Sequence, residues 1–304
     1  MIDIFIPSYH RANSCKTVTY FQKLGWDVTR LHIFIDNETD DIAEYKQLAD
    51  KVGCYLNIFD MCEARRRYDY VHRASPSRRS AGQARNMFQD YAKERGIDFY
   101  CVIDDDTSLY QYRFCGEKYH IATIEEVELG FDLIEKFMRK HCIGLFALSQ
   151  TGDLIGGLTK NGVLRHKVMN TTFYLMPYVY RGERGVQDDD TSLFTGVMNE
   201  GLFTGSLFQG LILVQTASAK QEGGLTDLYN ECKLLNKALV VPIQFPSAVY
   251  AERQKKNGGR LHHHIINRYL EPKLLKNVGG RSNIAWNTYE EDYPFTNEAI
   301  CRRD

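Results

Sequence analysis

Residues 1–110 of this 304-residue chain predict an open α/β sheet of mainly parallel strands. Three observations carry that prediction. Short runs of β-branched and aromatic residues alternate with segments of helical spacing. Each helical segment is followed by a glycine, where a left-handed cap is expected. Polar or acidic clusters fall at the ends of the apolar runs, the places where ligands gather in such sheets.

The elements follow in order. Ile2-Asp3-Ile4-Phe5-Ile6 reads as a buried strand ended by Pro7-Ser8. Residues 17–24 have helical spacing, with Gly25 as the cap, and Leu31-His32-Ile33-Phe34-Ile35 is a second strand that runs into the polar stretch 36–41. A helix over 42–52 stops at Gly53, and 55–59 is a third strand. Residues 80–95 form the next helix, closed by Gly96, and Phe99-Tyr100-Cys101-Val102-Ile103 is a fourth strand leading into Asp104-Asp105-Asp106. The second half is less regular. An amphipathic helix is expected over 124–141, strands over 144–148, 169–176 and 179–180, and helices over 191–199 and 227–238. No repeat, low-complexity tract or linker interrupts the chain, so a single domain over 1–304 with a C-terminal elaboration is expected.

Lys plus Arg is 38 and Asp plus Glu is 39, for a formal net charge of -1, which excludes a uniformly basic protein. Charge is nevertheless unevenly placed. Between Glu252 and Arg281 eight Lys or Arg face two Glu, so 8 minus 2 leaves a local +6. Arg65-Arg66-Arg67, Arg73, Arg78 and Arg79 form another basic stretch. No apolar run approaches the ~18 residues of a membrane-spanning helix. The opening residues lack a basic signal region, so no membrane partner and a cytoplasmic location are expected. The eight cysteines include no C-x-x-C pair and are expected as free thiols.

The acidic triplet has a physical use. Two carboxylates one residue apart, on a strand leaving the sheet, can share a hard divalent cation whose remaining positions go to water and two phosphates. Such a cation neutralises a departing diphosphate. The alternative is a solvated acidic loop.

With these features the chain resembles the nucleotide-sugar-dependent glycosyltransferases of the GT-A fold, through Ile4-Phe5-Ile6-Pro7-Ser8-Tyr9 with Arg11, Asp36, Ala81-Gly82-Gln83-Ala84-Arg85-Asn86 and Asp104-Asp105-Asp106. The resemblance implies a GT-A type, Rossmann-like mixed sheet, mainly parallel and flanked by helices. It implies a nucleotide-sugar-binding half over 1–110, an acceptor half over 111–250 and a basic C-terminal segment over 251–304. It implies that Pro7, Ser8, Tyr9, Arg11, Asp36, Arg78, Gln83, Arg85, Asp104 and Asp105 meet the donor, a UDP-sugar being favoured. Asp106, with Asp104, would hold Mn2+ or Mg2+. The triplet leaves the register of these acids ambiguous, and Asp105 is a candidate to point into the sheet edge.

Asp188-Asp189-Asp190-Thr191-Ser192-Leu193 lies about where GT-A enzymes place the acceptor's general base, which the resemblance assigns to Asp189 or Asp190. The plain alternative is helix capping. In His262-His263-His264 an extended backbone puts His262 and His264 on one face. The resemblance makes these two late metal ligands, against an alternative of surface histidines in a basic loop. Tyr68, Tyr70, Tyr110, Tyr112 and Tyr178 are candidates to stack on a base or sugar, or to belong to the core.

The Pro-Ser-Tyr-x-Arg opening, the Asp-rich motif and the Asp-Asp-Thr segment are also similar to the TET/JBP-associated glycosyltransferases of bacteriophages. That resemblance implies a DNA acceptor carrying 5-hydroxymethylcytosine, and host-cell cytoplasm as the location. A protein, lipid or glycan acceptor is the nearest alternative. A nucleotidyltransferase, or an inactive DNA-binding module on the same scaffold, is the next. No protein partner is indicated.

Overall fold

A computed structural model describes residues 1–67, 81–113, 120–150, 163–164, 168–176, 188–200, 202–207, 210–215, 238–254, 259 and 261–266. Arg73, Arg78, Arg79, Tyr68, Tyr70, Tyr178, the strand expected over 179–180, nearly all of the helix expected over 227–238 and the segment beyond 266 lie outside them.

The strands are β1 (Asp3–Pro7), β2 (Leu31–Asp36), β3 (Tyr55–Phe59), β4 (Phe99–Val102), β5 (Thr107–Arg113), β6 (His120–Ile121), β7 (Ile143–Leu148), β8 (Val163–Leu164), β9 (Thr172–Leu175), β10 (Phe203–Leu207), β11 (Gly210–Gln215), β12 (Val249–Arg253) and β13 (Leu261–Ile265). The helices are α1 (Lys16–Leu24), α2 (Ile42–Val52), α3 (Met61–Arg67), α4 (Ala81–Glu94), α5 (Ile124–His141) and α6 (Asp189–Asn199), with a further helical segment over 238–244. Among the described residues an eight-stranded sheet runs β3-β2-β1-β4-β9-β7-β10-β8. β1, β2, β3 and β4 are parallel, β9 runs antiparallel between β4 and β7, and β10 is parallel to β7. This is the mainly parallel sheet that the sequence predicts, mixed as the resemblance implies.

The sheet forms because its central strands are apolar on both faces, as strands covered twice must be. Ile4, Ile6, Ile33, Ile35 and Cys101 join Val18 and Phe21 of α1, Tyr45 of α2 and Phe131 and Ile134 of α5 in one core. The alternate residues Phe5, Phe34, Tyr100 and Val102 join Phe88 of α4 and Leu193, Phe194 and Val197 of α6 in the other. Two periods meet here, two along each strand and 3.6 along each helix. Rings stack across the central strands: Phe5 on Tyr100 at 4.5 Å, and Tyr100 on Tyr174 at 4.9 Å. Gly25 and Gly53 do adopt the left-handed cap, at φ 88° and 83°. The first turn of α5 closes with a reciprocal Thr123–Glu126 capping box.

The chain leaves β1 toward β2 on one side and returns through β4 on the other, so β1 and β4 flank the topological switch point. Everything that follows either strand is thereby brought to one crevice. Two smaller sheets accompany the main one, β11-β5-β6 and the hairpin β12-β13. Tyr110 and Tyr112, candidates for stacking on a ligand, are instead core residues of β5, and the Tyr110 hydroxyl lies 2.9 Å from Thr171 Oγ1. The stretch Arg65-Arg66-Arg67 is the last turn of α3, where Arg65 forms a two-pronged pair with Glu38 and Arg67 pairs with Glu63 and Asp90. Much of that basic charge is met by acids of the chain itself.

Candidate active site

Three hydroxyl and guanidinium groups organise the loop after β1. Arg11 N–H donates to the Tyr45 hydroxyl at 3.0 Å, the Tyr45 and Ser8 hydroxyls are 2.6 Å apart, and Ser8 Oγ donates to Asp105 Oδ2 at 2.6 Å. With Tyr45 donating to Ser8, these bonds form one directed chain ending on a carboxylate. The Arg11 guanidinium closes it from the other side by donating to Asp105 Oδ1, and lies 3.9 Å from Asp106 Oδ2. The triplet's register is therefore set. Asp105 turns under the β1 loop and holds it, leaving Asp104 and Asp106 on either side. Thr17, in the first turn of α1, pins the backbone: its N–H donates to the Asp105 carbonyl at 3.3 Å, its hydroxyl to the Asp104 carbonyl, and Thr107 N–H donates back to its Oγ1 at 3.1 Å.

Arg85 of α4 joins this strand end to the second acidic motif. One terminal nitrogen donates to Asp104 Oδ1 at 3.1 Å and the other to Asp189 Oδ2 on α6. Burial raises the Asp104 carboxyl above its ordinary range; Arg85 opposes the shift, while the Asp106 and Asp190 charges reinforce it. Burial likewise pushes Asp189 up to about 6, again against Arg85 and with Asp190 and Asp104. Asp105 is raised too, because burial outweighs Arg11 and Ser8. Asp190 stays half-buried, and its Oδ1 accepts from Thr191 N–H at 2.7 Å.

Asp188 precedes α6 in a left-handed conformation, φ 55°, with its side chain buried against His263, whose Nδ1 lies 3.0 Å from Asp188 Oδ2. The sequence places His262 and His264 on a shared face, and the resemblance makes them metal ligands. In the hairpin they do share a face, but it is His263 that reaches the acidic motif. His264 instead stacks on Tyr250 at 5.5 Å and lies 3.0 Å from Glu252 Oε1. The register of β12 with β13, which sets Ala251 opposite His263, decides this.

The remaining expected residues fall as follows. Pro7 ends β1 in register with Phe34, Tyr9 is half-buried beside the His10 ring, and Gln83 is buried on α4. Asp36 is buried at the end of β2, where its Oδ1 accepts from Glu38 N–H at 2.9 Å. Arg78 lies outside the described residues. Among the described residues, the one grouping of three possible metal-binding side chains with ligand atoms within 4.8 Å is His10, Asp40 and Asp41, not the triplet with a histidine. Residue patterns missed Tyr45, Thr17 and His263. Tyr45 looks like one more core aromatic of an amphipathic helix, and only its hydroxyl's neighbours give it away.

The sheet order, with acids gathered at its switch point, agrees with the α/β architecture that the sequence resemblance implies. A family profile described as TET-Associated Glycosyltransferase matches residues 2–224, and the chain belongs to that family. No curated protein matches it. Among solved structures it is similar to glucosyl-3-phosphoglycerate synthase from Mycobacterium tuberculosis. The complex of that enzyme with Mn2+, UDP and glucosyl-3-phosphoglycerate aligns at 11% identity and a TM-score of 0.45, covering 87% of this chain and 86% of that one. A complex with Mn2+, UDP-glucose and phosphoglyceric acid aligns at 11% identity and a TM-score of 0.46, with the same coverage. Among the described residues no helix is long and apolar enough to cross a membrane.

Proposed function

We propose that this glycosyltransferase moves a sugar from a UDP-sugar to the hydroxymethyl group of 5-hydroxymethylcytosine in DNA, with inversion at the anomeric carbon and with Mn2+ or Mg2+ bound. The observation that supports the reading best is the convergence on Arg85 of the strand-end acids and the α6 acids, which sets a donor side and an acceptor side against each other. The acceptor is the one implied by the resemblance to the phage TET/JBP-associated glycosyltransferases, and UDP is the nucleotide the GT-A resemblance favours.

Asp104 and Asp106 offer the hard oxygen donors that a divalent cation takes, in a site where buried carboxylates crowd two guanidiniums. When bound there, the cation supplies charge neutralisation for the departing diphosphate. Asp36, Tyr9 and the loop ordered by Ser8, Tyr45, Arg11 and Asp105 form the wall on which the nucleotide rests. On the acceptor side Asp189 or Asp190 takes the proton of the hydroxymethyl group. Its oxygen then bonds to the anomeric carbon as the bond from that carbon to the diphosphate oxygen breaks, and the nucleoside diphosphate leaves. A hydroxymethyl group on cytosine projects into the major groove, within reach of an enzyme that acts with or without extruding the base.

The test is one mixture of protein, Mn2+, a panel of nucleotide sugars and duplex DNA bearing either 5-hydroxymethylcytosine or cytosine. A hexose-sized mass increase confined to the modified DNA is expected. No increase with any donor sinks the DNA acceptor. Asp106→Ala is expected to abolish metal-dependent donor hydrolysis, and hydrolysis that survives it removes the metal assignment.

A further inference from the structure

The arginine that the resemblance gives to the donor also holds two acids of the chain itself. Arg85 sits on α4 with its side chain 10% exposed, and its two terminal nitrogens are each engaged by a carboxylate from a different element, Asp104 at the end of β4 and Asp189 in the first turn of α6. Those partners are 19 and 104 residues away in sequence, so no local geometry enforces the arrangement. A planar guanidinium can bridge two carboxylates in a fixed fork; a lysine ammonium, a point charge on a flexible stem, sets no such angle.

We propose that Arg85 is a positioning residue of the transfer reaction: it locks Asp189 to the donor-side acid Asp104 and so leaves Asp190 as the carboxylate presented to the acceptor hydroxyl. This rests on the reading that the α6 acids serve the acceptor. Consecutive helix residues point about 100° apart. Fixing Asp189 inward against Arg85 therefore sets the direction of Asp190, the half-buried member of the pair. Asp189 is buried and its Oδ2 is taken by the guanidinium. It is the anchor and Asp190 the base. The same bridge couples the two halves of the site, because any displacement of α6 relative to β4 has to break one of its arms.

Arg85→Ala, Arg85→Lys, Asp189→Asn and the Arg85→Ala/Asp189→Asn double variant test this, with two readouts kept apart. Titration of UDP in the presence of Mn2+ reports donor-side binding. Turnover of the UDP-sugar found active, on 5-hydroxymethylcytosine duplex DNA and on water, reports transfer. Arg85→Ala is expected to leave UDP affinity within about threefold and to lower kcat by about 10²-fold, the usual cost of a misplaced reacting group. In the Asp189→Asn background the same change is expected to lower kcat far less, since the partner is already altered. Arg85→Lys, which keeps the charge and secures a folded protein, is expected to recover UDP binding fully and kcat only in small part. A tenfold or greater loss of UDP affinity with kcat unchanged would make Arg85 a diphosphate clamp and overturn the proposal. So would additive effects of Arg85→Ala and Asp189→Asn on kcat. Failure of the underlying reading looks different: Asp190→Asn would then transfer normally whatever Arg85 does, and an incorrect DNA acceptor would leave turnover on water to report the same comparison.

Discussion

At the amino ends of β1 and β4, acids meet bases that satisfy them. Asp3 accepts from His32 Nε2 at 3.1 Å and from Arg30 at 3.2 Å, His32 Nδ1 lies 3.1 Å from the Tyr91 hydroxyl, and Asp98 is gripped by both terminal nitrogens of Arg139 at 2.8 and 2.9 Å. At the carboxyl ends of the same strands Asp104, Asp105 and Asp106 are crowded with Asp189 and Asp190 around Arg11 and Arg85. The titration directions differ accordingly. Burial would raise Asp3, but the hydrogen bond and charge of His32, then Arg30, carry it below its ordinary value. Asp98 is lowered mainly by its hydrogen bonds from Arg139. Asp104, Asp105 and Asp189 are all raised, because burial outweighs the help they receive. One sheet thus keeps its stabilising electrostatics at one end and its unfavourable electrostatics at the other, the end that the proposed reaction would use. Residues gathered for a reaction are commonly held at a cost to stability.

The largest effect that tests this contrast is on rate. Asp190→Asn should lower kcat for transfer by about 10²–10⁴-fold, the usual worth of a general base. Its melting temperature should hold or rise, since one charge leaves a crowded acidic site. A variant that loses activity only because it melts earlier would break the contrast, since the carboxyl end would then be stabilising too. Next comes the mirror experiment. Asp3→Ala strips the buried His32 and the exposed Arg30 of their carboxylate, and leaving a buried imidazole short of a partner costs about 1–3 kcal/mol. Thermal melting should fall by several degrees while UDP affinity and kcat stay at their wild-type values.

The contrast also bears on what the sequence could reveal. Strands β1, β2, β3 and β4 were legible because three of them are apolar on both faces and the alternating helices end in glycine. Strands β12 and β13 were not: Val249-Tyr250-Ala251-Glu252-Arg253 and Leu261-His262-His263-His264-Ile265 carry no apolar period, and their antiparallel pairing leaves His263 against Asp188. Helix α3 hid behind Arg65-Arg66-Arg67, where Arg65 pairs with Glu38 and Arg67 with Asp90, residues distant in sequence, and with Glu63 one helical turn away. At the site, the acids were visible because each cluster is contiguous and ends a strand or opens a helix. The groups that orient them were not. Tyr45 carries a core residue's pattern and a hydroxyl that bonds to the β1 loop, and Arg85 gives no sign in sequence of choosing Asp104 and Asp189. Parity put His262 and His264 on one face, and parity cannot say which face of a hairpin meets the rest of the protein; here His263 lies against Asp188.

A smaller effect separates the two ends by pH. Asp189 has its carboxyl raised from the ordinary 3.8 to about 6 in the folded chain. Between roughly pH 4 and 6 the folded state therefore holds a proton that the unfolded state has released, so stability falls as pH rises through that window and the full cost is present above it. Asp3 and Asp98, lowered on folding, act in the opposite sense: their contribution is present above the ordinary carboxylate range and is lost as pH falls through their folded values. Melting curves recorded in chelator should show Asp189→Asn gaining about 2–5 °C over wild type at pH 7 and converging with it near pH 4. A constant offset at both pH values would mean that the substitution acts through packing, and the charge crowding at the carboxyl end would lose its energetic meaning.

The smallest effect asks whether the amino end owes its stability to charge pairing or to burial. Asp98 and Arg139 form a two-pronged ion pair, reinforced by Glu135, yet their side chains are 62% and 41% exposed. Asp3 and His32 are 14% and 6% exposed. Exposed pairs are screened by solvent and salt and contribute about 0–1 kcal/mol. Arg139→Ala should therefore lower the melting temperature by no more than about 2 °C, and less still at high salt, whereas Asp3→Ala should be larger and nearly independent of salt. If Arg139→Ala cost as much as Asp3→Ala, the number of pairs rather than their burial would set stability at this end. The opposing burial costs assigned to Asp104 and Asp189 at the other end would then need the same discount, because both assignments rest on burial amplifying the electrostatics of a buried carboxylate.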